Sequence, residues 1–223
     1  MRPAQGPWTD VKENGAMRSI LVVNPKGGAG KTTLTTNVAS YLARKGERVT
    51  IGDLDRQQSA MAWLEFRDEA LPRVQGFDAR DGWEKKLPKG TTALVIDAPA
   101  GIHGSKLSDS LKAADKVLVP VQPSLFDMAA TEEFLRLVAE EKSVRKQKTF
   151  VALVAMRVDP RTRTAAMLER FLTHFELPVL TYLRDTQVYP TAAAEGRSLF
   201  DIAPSRAKRE LANWEPLTAW IDS

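Results

Sequence analysis

Residues 25 to 33 read Pro-Lys-Gly-Gly-Ala-Gly-Lys-Thr-Thr, and this stretch decides the fold. The glycines Gly27, Gly28 and Gly30 let the backbone adopt positive φ angles and turn successive N–H groups toward one point, which is how a protein cradles a phosphate group. A helix that begins near Lys31 adds the positive end of its dipole at the same place. The stretch is therefore predicted to be a phosphate-binding loop.

The residues around the loop predict a strand before it and a helix after it. Residues 20–23 form a short apolar run, typical of a strand buried on both faces of a parallel sheet. Leu34, Val38 and Leu42 recur at helical spacing, and Gly46 stands where a helix commonly ends. A second helical stretch is predicted at residues 58–69. Further short apolar runs, each reached from a helical segment, lie at residues 49–51, 93–96, 117–121, 150–154 and 179–180. This alternation predicts an α/β fold with a doubly wound, mainly parallel sheet and helices on both faces.

Length and composition indicate one ordinary globular domain. The chain has 223 residues, of which 43% are hydrophobic and 27% charged, so residues 17–223 are expected to form a single domain after a flexible tail at 1–16. The absence of cysteine excludes disulfides, thiolate metal sites and cysteine nucleophiles. No apolar run approaches the roughly 20 residues that span a bilayer, and no secretory signal is evident, so we expect a cytoplasmic protein.

The phosphate-binding loop departs from the general pattern of a glycine, four residues and then Gly-Lys-Ser/Thr. Pro25 replaces the first glycine, and an additional lysine, Lys26, comes next. We expect Lys31 to reach the β- and γ-phosphates and the Thr32 hydroxyl to bind Mg²⁺. The predicted nucleotide-binding residues are Lys26, Gly27, Gly28, Ala29, Gly30, Lys31, Thr32 and Thr33.

Two acidic motifs follow predicted strands. One is Gly52-Asp53-Leu54-Asp55 and the other is Ile96-Asp97-Ala98-Pro99. The carboxyl ends of parallel strands face the ligand crevice in open α/β sheets, so these carboxylates can hold a magnesium-bound water or orient an attacking water. An aspartate at either position can instead cap the start of a helix, and position alone leaves that alternative open.

The chain resembles the ParA/MinD family of deviant Walker-A ATPases. The similarity covers the loop at 26–33, the acidic motif at 53–57, the Walker B segment at 95–101, and the segments 119–124 and 192–198. The loop motif is highly specific and the others are moderately so. Together these segments extend the resemblance over nearly all of residues 17–223.

This resemblance implies a slow ATPase that closes into an ATP-sandwich homodimer. It assigns catalysis to Lys26, Lys31 and Asp55, and magnesium binding to Thr32, Asp53 and Asp97. Lys26 would cross the interface to the partner's nucleotide, which would make hydrolysis conditional on dimerisation. Asp55 would position the attacking water.

Two positions depart from the family pattern. Arg56 stands where the family usually has proline, and this change could alter the turn that orients the water. Residues 155–157 read Ala-Met-Arg where many members carry an asparagine near the base, so the way in which adenine is recognised is left open.

The resemblance further implies non-specific DNA binding in the ATP state. Arg184 is similar in position to an arginine that ParA-like members use for DNA, and Arg197, Arg206, Lys208 and Arg209 add positive charge nearby in the sequence. We expect a nucleoid-associated ATPase for plasmid partition, chromosome segregation or positioning of a protein cargo. A ParB-like activator or cargo adaptor is the expected partner.

Three alternatives are retained. A MinD-like membrane-associated ATPase would need a basic amphipathic C-terminal helix. Residues 214–223 are instead interrupted by Pro216 and have an acidic end, and we expect Trp214, Trp220 and Ile221 to pack on the core. No stable membrane association is therefore expected. A metabolic ligase of the dethiobiotin synthetase type would turn over only with a small acceptor. A pure nucleotide-binding module would release no phosphate even with its partners present.

Overall fold

The computed structural model describes residues 17–80 and 87–223, so the predicted tail at 1–16 lies outside the described residues. Seven strands form one sheet in the order β3-β2-β4-β1-β5-β6-β7, and every neighbouring pair is parallel. The strands are β1 (Arg18–Val22), β2 (Val49–Asp53), β3 (Val74–Asp78), β4 (Ala93–Asp97), β5 (Lys116–Val121), β6 (Phe150–Val158) and β7 (Val179–Arg184). The prediction of a doubly wound α/β fold is confirmed.

Helices cover both faces of this sheet. They are α1 (Lys31–Arg44), α2 (Ser59–Glu65), α3 (Gly104–Ala113), α4 (Leu125–Glu140), α5 (Lys142–Arg145), α6 (Arg163–Leu172), α7 (Val188–Ala194) and α8 (Pro204–Asp222), with a 3₁₀ turn at Leu199–Asp201. Buried side chains of α1, α2 and α8 share one hydrophobic cluster, and those of α3, α4 and α6 share the other. None of the helices in residues 17–80 and 87–223 has the length and apolar character needed to cross a bilayer.

The sheet register brings the acidic motifs to one place. β1 lies between β4 and β5, and the strand order reverses there, which is where open α/β sheets leave a crevice. Asp97 at the end of β4 is in register with Val22 of β1 and with Asp53 of β2. The phosphate-binding loop leaves β1 at this same edge and enters α1.

Local sequence explains why α1 begins and ends where it does. Leu34, Val38 and Leu42 are fully buried against the sheet, as their spacing predicts. Gly46 ends the helix with a φ of 89°, and its N–H donates to the Ala43 carbonyl at 3.0 Å. A residue with a Cβ would be strained at that φ, so the predicted terminal glycine is confirmed.

Three local features differ from the sequence prediction. The edge strand β3 was not predicted, because it contains Gly76 and mixes buried with half-buried positions. A helical stretch was predicted to extend to Glu69, but α2 ends at Glu65. Pro216 was expected to interrupt the C-terminal segment, whereas α8 continues through it to Asp222.

Helix α8 is held to the core by Trp214, whose side chain is fully buried. The Trp214 Nε1–H donates to the Tyr189 hydroxyl at 2.9 Å, and the ring packs edge-on against Phe200 at a centroid distance of 5.4 Å. Leu217 and Ile221 are buried one and two turns later. The C-terminal apolar residues therefore pack on the protein core, as their sequence position indicated.

Truncating this anchor should weaken the whole fold. Trp214→Ala is expected to lower the free energy of unfolding by about 3–5 kcal/mol, because it leaves a large cavity. Trp214→Phe retains most of the ring and loses the hydrogen bond to Tyr189, so it should cost about 1–2 kcal/mol. Urea unfolding of the two variants measures both values, and equal losses would contradict the cavity argument.

Candidate nucleotide site

The phosphate-binding loop has an open, preformed cradle. Gly28 and Gly30 have φ angles of 77° and 96°, where a side chain would strain the backbone. A Cβ on Gly30 would lie 2.8 Å from Met156 Cε, whereas a Cβ on Gly27 or Gly28 would meet nothing within 4 Å. No side chain caps the start of α1, so its first N–H groups point to the cradle without a side-chain partner. These features fit a bound phosphate group.

Lys31 is folded inward beneath this cradle. Its Nζ donates to the Lys26 carbonyl at 2.8 Å, and the residue is only 7% exposed. Burial lowers the pKa of Lys31, and the nearby carboxylates of Asp97 and Asp55 partly offset that effect. A phosphate group in the loop would replace lost solvation with direct charge pairing.

Asn24 fixes the start of the phosphate-binding loop, and this role was not predicted from the sequence. It is fully buried, and its Nδ2 donates to the Pro120 carbonyl at 2.8 Å and to Thr131 Oγ1 at 3.0 Å. Its Oδ1 accepts the Lys26 N–H at 2.8 Å. The only signal in the sequence was one amide side chain between a buried strand and Pro25. Asn24 thus links the loop to β5 and α4.

Asp97 lies beneath the start of α1 and is almost fully buried. Thr32 Oγ1 donates to Asp97 Oδ2 at 2.8 Å, while Asp97 Oδ1 has no hydrogen-bond partner among the described residues. Burial raises the pKa of Asp97 to about 7, against the smaller opposing effects of Thr32 and Lys31. A hydroxyl and an unsatisfied carboxylate oxygen are the oxygen donors that Mg²⁺ prefers, so these residues fit that ion.

Asp53 is fully buried and caps the start of α2. Its Oδ1 accepts the Asp55 N–H at 2.9 Å, and its Oδ2 accepts the Ala60 N–H at 3.0 Å and the Met61 N–H at 3.4 Å. Burial raises the pKa of Asp53, and these backbone hydrogen bonds act in the opposite direction. The geometry shows the capping role that position alone left open, and a role for Asp53 in magnesium binding stays a prediction.

Asp55 faces the cradle from the other side of the cleft. Its Oδ1 accepts the Gln57 N–H at 3.0 Å, which fixes the carboxylate in a tight turn. A cavity of about 480 Å³ is lined by Asp55, the exposed Arg56, the loop glycines and Pro99. Asp55 lines this cavity across from the loop, and its role in orienting an attacking water stays a prediction.

A second cavity of about 300 Å³ adjoins the other side of the loop. Gly30 and Thr33 form one wall, and Met156, Arg157 and Asp185 form part of the opposite wall. Arg157 Nε lies 3.2 Å from Asp185 Oδ1, and Arg157 has a φ of 53°. The Arg157–Asp185 pair lines this cavity and occupies the position at which the sequence left recognition of the base open.

Arg184, the predicted DNA-binding residue, lies at the end of β7 and is not free. Its guanidinium pairs with Glu210 Oε1 at 3.2 Å, and its side chain is 33% exposed. By contrast Arg206, Lys208 and Arg209 in the first turns of α8 are exposed. None of these three has an ion-pair partner within residues 17–80 and 87–223, and all three are available to an anionic partner.

Comparison with protein families agrees with the phosphate-binding loop, the buried Asp97 carboxylate and the sheet topology. The model for the CobQ/CobB/MinD/ParA nucleotide binding domain matches residues 20–200. The chain belongs to this family. The resemblance inferred from the sequence is therefore confirmed, and so is nucleotide binding as the common property of the domain.

A similar curated relative is a positioning protein. The maintenance of carboxysome distribution protein A from Gloeobacter kilaueensis is 30% identical over 213 residues, which cover 92% of this chain and 94% of the relative. Its name concerns the distribution of carboxysomes. The similarity extends over nearly the whole length of both chains.

Solved structures of the same fold contain the predicted cofactors. A variant of McdA from Cyanothece in complex with ATP superposes with a TM-score of 0.69 at 15% identity, over 92% of this chain and 98% of that one. Cobyrinic acid a,c-diamide synthase from Mycobacterium smegmatis, with an ATP analogue and magnesium, gives 0.62 at 22% identity over 80% and 93%. The prediction of ATP and Mg²⁺ as cofactors is confirmed at the level of the family.

Replacing Asp97 by asparagine tests the burial of its charge in protein free of nucleotide and metal. The folded-state pKa of about 7 lies above the ordinary value of 3.8, so the folded state binds more protons between these values and stability falls as pH rises through them. Asp97→Asn lacks this titration. The free energy of unfolding of Asp97→Asn, relative to that of wild type, should rise by more than about 1 kcal/mol between pH 4 and pH 8.

The measurement is urea unfolding of both proteins at pH 4, 6 and 8 with a chelator present. Comparing the variant with wild type at each pH cancels the titration of groups that do not interact with Asp97. Parallel stability curves would contradict the assignment of a raised pKa to Asp97.

Proposed function

We propose that this protein is a ParA-like ATPase that forms an ATP-sandwich homodimer, binds non-specific DNA in that state and positions a DNA or protein cargo. The observation that carries the proposal is the pair of lysines in the loop. Lys31 is turned inward to the cradle, whereas Lys26 is half-buried at its rim and has no ion-pair partner in the described part of the chain. A cation at the rim can serve the nucleotide of a second copy.

The chain's own residues divide the chemistry of hydrolysis among them. The loop N–H groups and Lys31 bind the phosphates, and Asp55 orients the attacking water and holds its proton. Lys26 of the second copy neutralises charge that develops on the transferred phosphoryl group. Thr32 and Asp97 would hold a magnesium ion, which would supply further positive charge to offset that of the phosphates.

The two lysines form a matched pair of substitutions. Lys31→Gln should reduce ATP affinity by at least about 10-fold, because the buried cation contacts the phosphates in one protomer. Lys26→Gln should bind ATP as the monomer with nearly wild-type affinity but lose both hydrolysis and the ATP dimer. Calorimetric titration with ATP, light scattering and phosphate release measure these three properties. Unchanged turnover in Lys26→Gln would exclude its action across an interface.

Non-specific DNA is proposed to contact the start of α8 before it reaches Arg184. The cations of Arg206, Lys208 and Arg209 are exposed and have no ion-pair partner in the part of the chain that the structure describes, so a phosphate backbone can engage them and release its own counterions. Arg184 must first give up Glu210, and its contribution to affinity is therefore smaller. A partner protein of the ParB or cargo-adaptor type would stimulate hydrolysis and release the dimer from DNA.

Charge-reversing substitutions on the two faces of the sheet distinguish DNA binding at the start of α8 from a general effect of net charge. Arg206→Glu with Arg209→Glu should reduce DNA affinity about 10-fold or more at moderate salt and leave ATP affinity unchanged. Arg163→Glu with Arg170→Glu makes the same change in net charge on α6, which belongs to the opposite hydrophobic cluster. The α6 variant should bind DNA like wild type, and equal loss in both would place the contact elsewhere.

The experiment that tests the function compares DNA binding with ATP, with ADP and without nucleotide, and reads the oligomeric state in the same samples. Sequence-independent binding by an ATP-dependent dimer supports the proposal. An ATP dimer that ignores DNA but binds anionic vesicles would favour the MinD-like alternative. Turnover that requires a small acceptor would favour a metabolic ligase, and no phosphate release with any partner would leave a nucleotide-binding module.

A further inference from the structure

The segment between α7 and α8 is tied to the first turns of α1. The Leu199 N–H donates to Asn37 Oδ1 at 2.8 Å, and Asn37 Nδ2 donates to the Thr33 carbonyl at 2.7 Å. Ser198 and Asp201 form a capping box around the 3₁₀ turn. The position of this segment is therefore fixed relative to the phosphate-binding loop.

Arg67 ties the same segment to the chain that leaves α2. Its guanidinium donates to the Asp201 carboxylate at 2.9 and 3.4 Å and to the Gly196 carbonyl at 3.1 Å. It also donates to the Pro72 carbonyl at 3.1 and 3.3 Å. The Arg67 side chain is 5% exposed and that of Asp201 is fully buried, so this ion pair is formed inside the protein.

Asp201 is an ionised partner for this arginine. Burial acts to raise its pKa, but hydrogen bonds from Arg67 and from Ser198 outweigh burial and hold the pKa below its ordinary value. Arg44 is a second and weaker cation for the same carboxylate, at 3.8 Å and with about half of its side chain exposed. Among the described residues that contact Asp201, Arg67 is the one that lies at the end of α2.

Two further contacts close the junction between α2 and this segment. Trp63 Nε1 donates to the Arg197 carbonyl at 3.1 Å, and the Arg67 guanidinium lies 4.9 Å from the centroid of the Trp63 ring. Gly196 has a φ of 63°, and a Cβ there would lie 2.3 Å from the carbonyl carbon of Phe66. The two backbones therefore touch, and nothing larger than glycine fits between them.

The other end of α2 leads directly to the candidate catalytic turn. Asp53 accepts N–H groups from both Asp55 and Ala60, so the turn and the helix start move together. The helix has seven residues, which is roughly 10 Å of rigid structure. Arg67 follows the end of α2 by two residues, so this helix offers a rigid connection between Arg67 and the turn that contains Asp55.

We propose that Arg67 is a positioning residue for ATP hydrolysis. Through α2, Arg67 holds Asp55 opposite the phosphate-binding loop. Through Asp201 and the 3₁₀ turn, Arg67 fixes the position of α2 relative to α1. The inference rests on the proposed function, since it takes Asp55 to act on the attacking water. Arg67 does not line the cleft, so its replacement should affect turnover and spare the binding of ATP, because a small misplacement of a reacting group is costly to the rate.

Two chemically different variants perturb the junction, and a third is the matched control. Arg67→Lys keeps a cation beside Asp201 but cannot make the forked contact with the carboxylate and the two carbonyls. Gly196→Ala keeps every charge and pushes the backbones apart. Arg44→Gln removes the other cation beside Asp201 and leaves the end of α2 untouched.

The experiment measures ATP affinity by calorimetry and ATP turnover by phosphate release, with wild type alongside. Both junction variants should lose about 10-fold or more in turnover and keep an ATP Kd within about threefold of wild type. Arg44→Gln should match wild type in both. Wild-type turnover in the junction variants, or a parallel loss of affinity, would overturn the positioning role. If the wild-type protein itself releases no phosphate, the proposed function fails instead.

Discussion

The buried carboxylate of Asp97 sets the conditions under which the site works. It ends β4 in register with Val22 and Asp53, at the point where the strand order reverses, and Thr32 satisfies only one of its oxygens. An ionised group in such a place costs free energy unless a cation compensates it. A divalent cation held at Asp97 would supply that compensation, and the phosphates of a bound nucleotide would then balance the charge of the cation. Residues that weaken the isolated chain thus become favourable contacts when ligand binds.

The phosphate-binding loop and its carboxylates could be predicted because their signals are local. Gly28 and Gly30 are adjacent to the helix they open, and Asp97 directly follows the apolar strand that buries it. Asn24 could not be predicted, because the groups that it contacts in Pro120 and Thr131 lie 96 and 107 residues away in the sequence. Arg67 carries no local signal either, since its carboxylate partner is 134 residues distant.

The strands and helices likewise divide into those determined by local sequence and those determined by contacts between distant residues. The central strands were predicted from continuous apolar runs, whereas β3 pairs only with β2 at the edge and needs no such run. Helix α2 stops short of its predicted end where the backbone of Gly196 meets Phe66, a contact that only the folded chain creates. Pro216 sits on the exposed side of α8, so packing of Trp214 and Leu217 decides the helix there.

The arginines of this chain carry the same charge, so the differences between their roles come from the carboxylates with which they pair. The Glu210 carboxylate already occupies Arg184, and Asp201 occupies Arg67 inside the protein. A polyanion that approaches from solvent gains most from cations that hold no partner, because breaking an existing pair cancels part of the new attraction. Arg206, Lys208 and Arg209 at the start of α8 have no ion-pair partner within residues 17–80 and 87–223, and α8 packs on the same face of the sheet as α1. Glu210 follows Arg209 in the sequence, so an anion bound to Arg209 would repel the Glu210 carboxylate and weaken its hold on Arg184. In the proposed DNA complex, α8 would then be contacted first and Arg184 second.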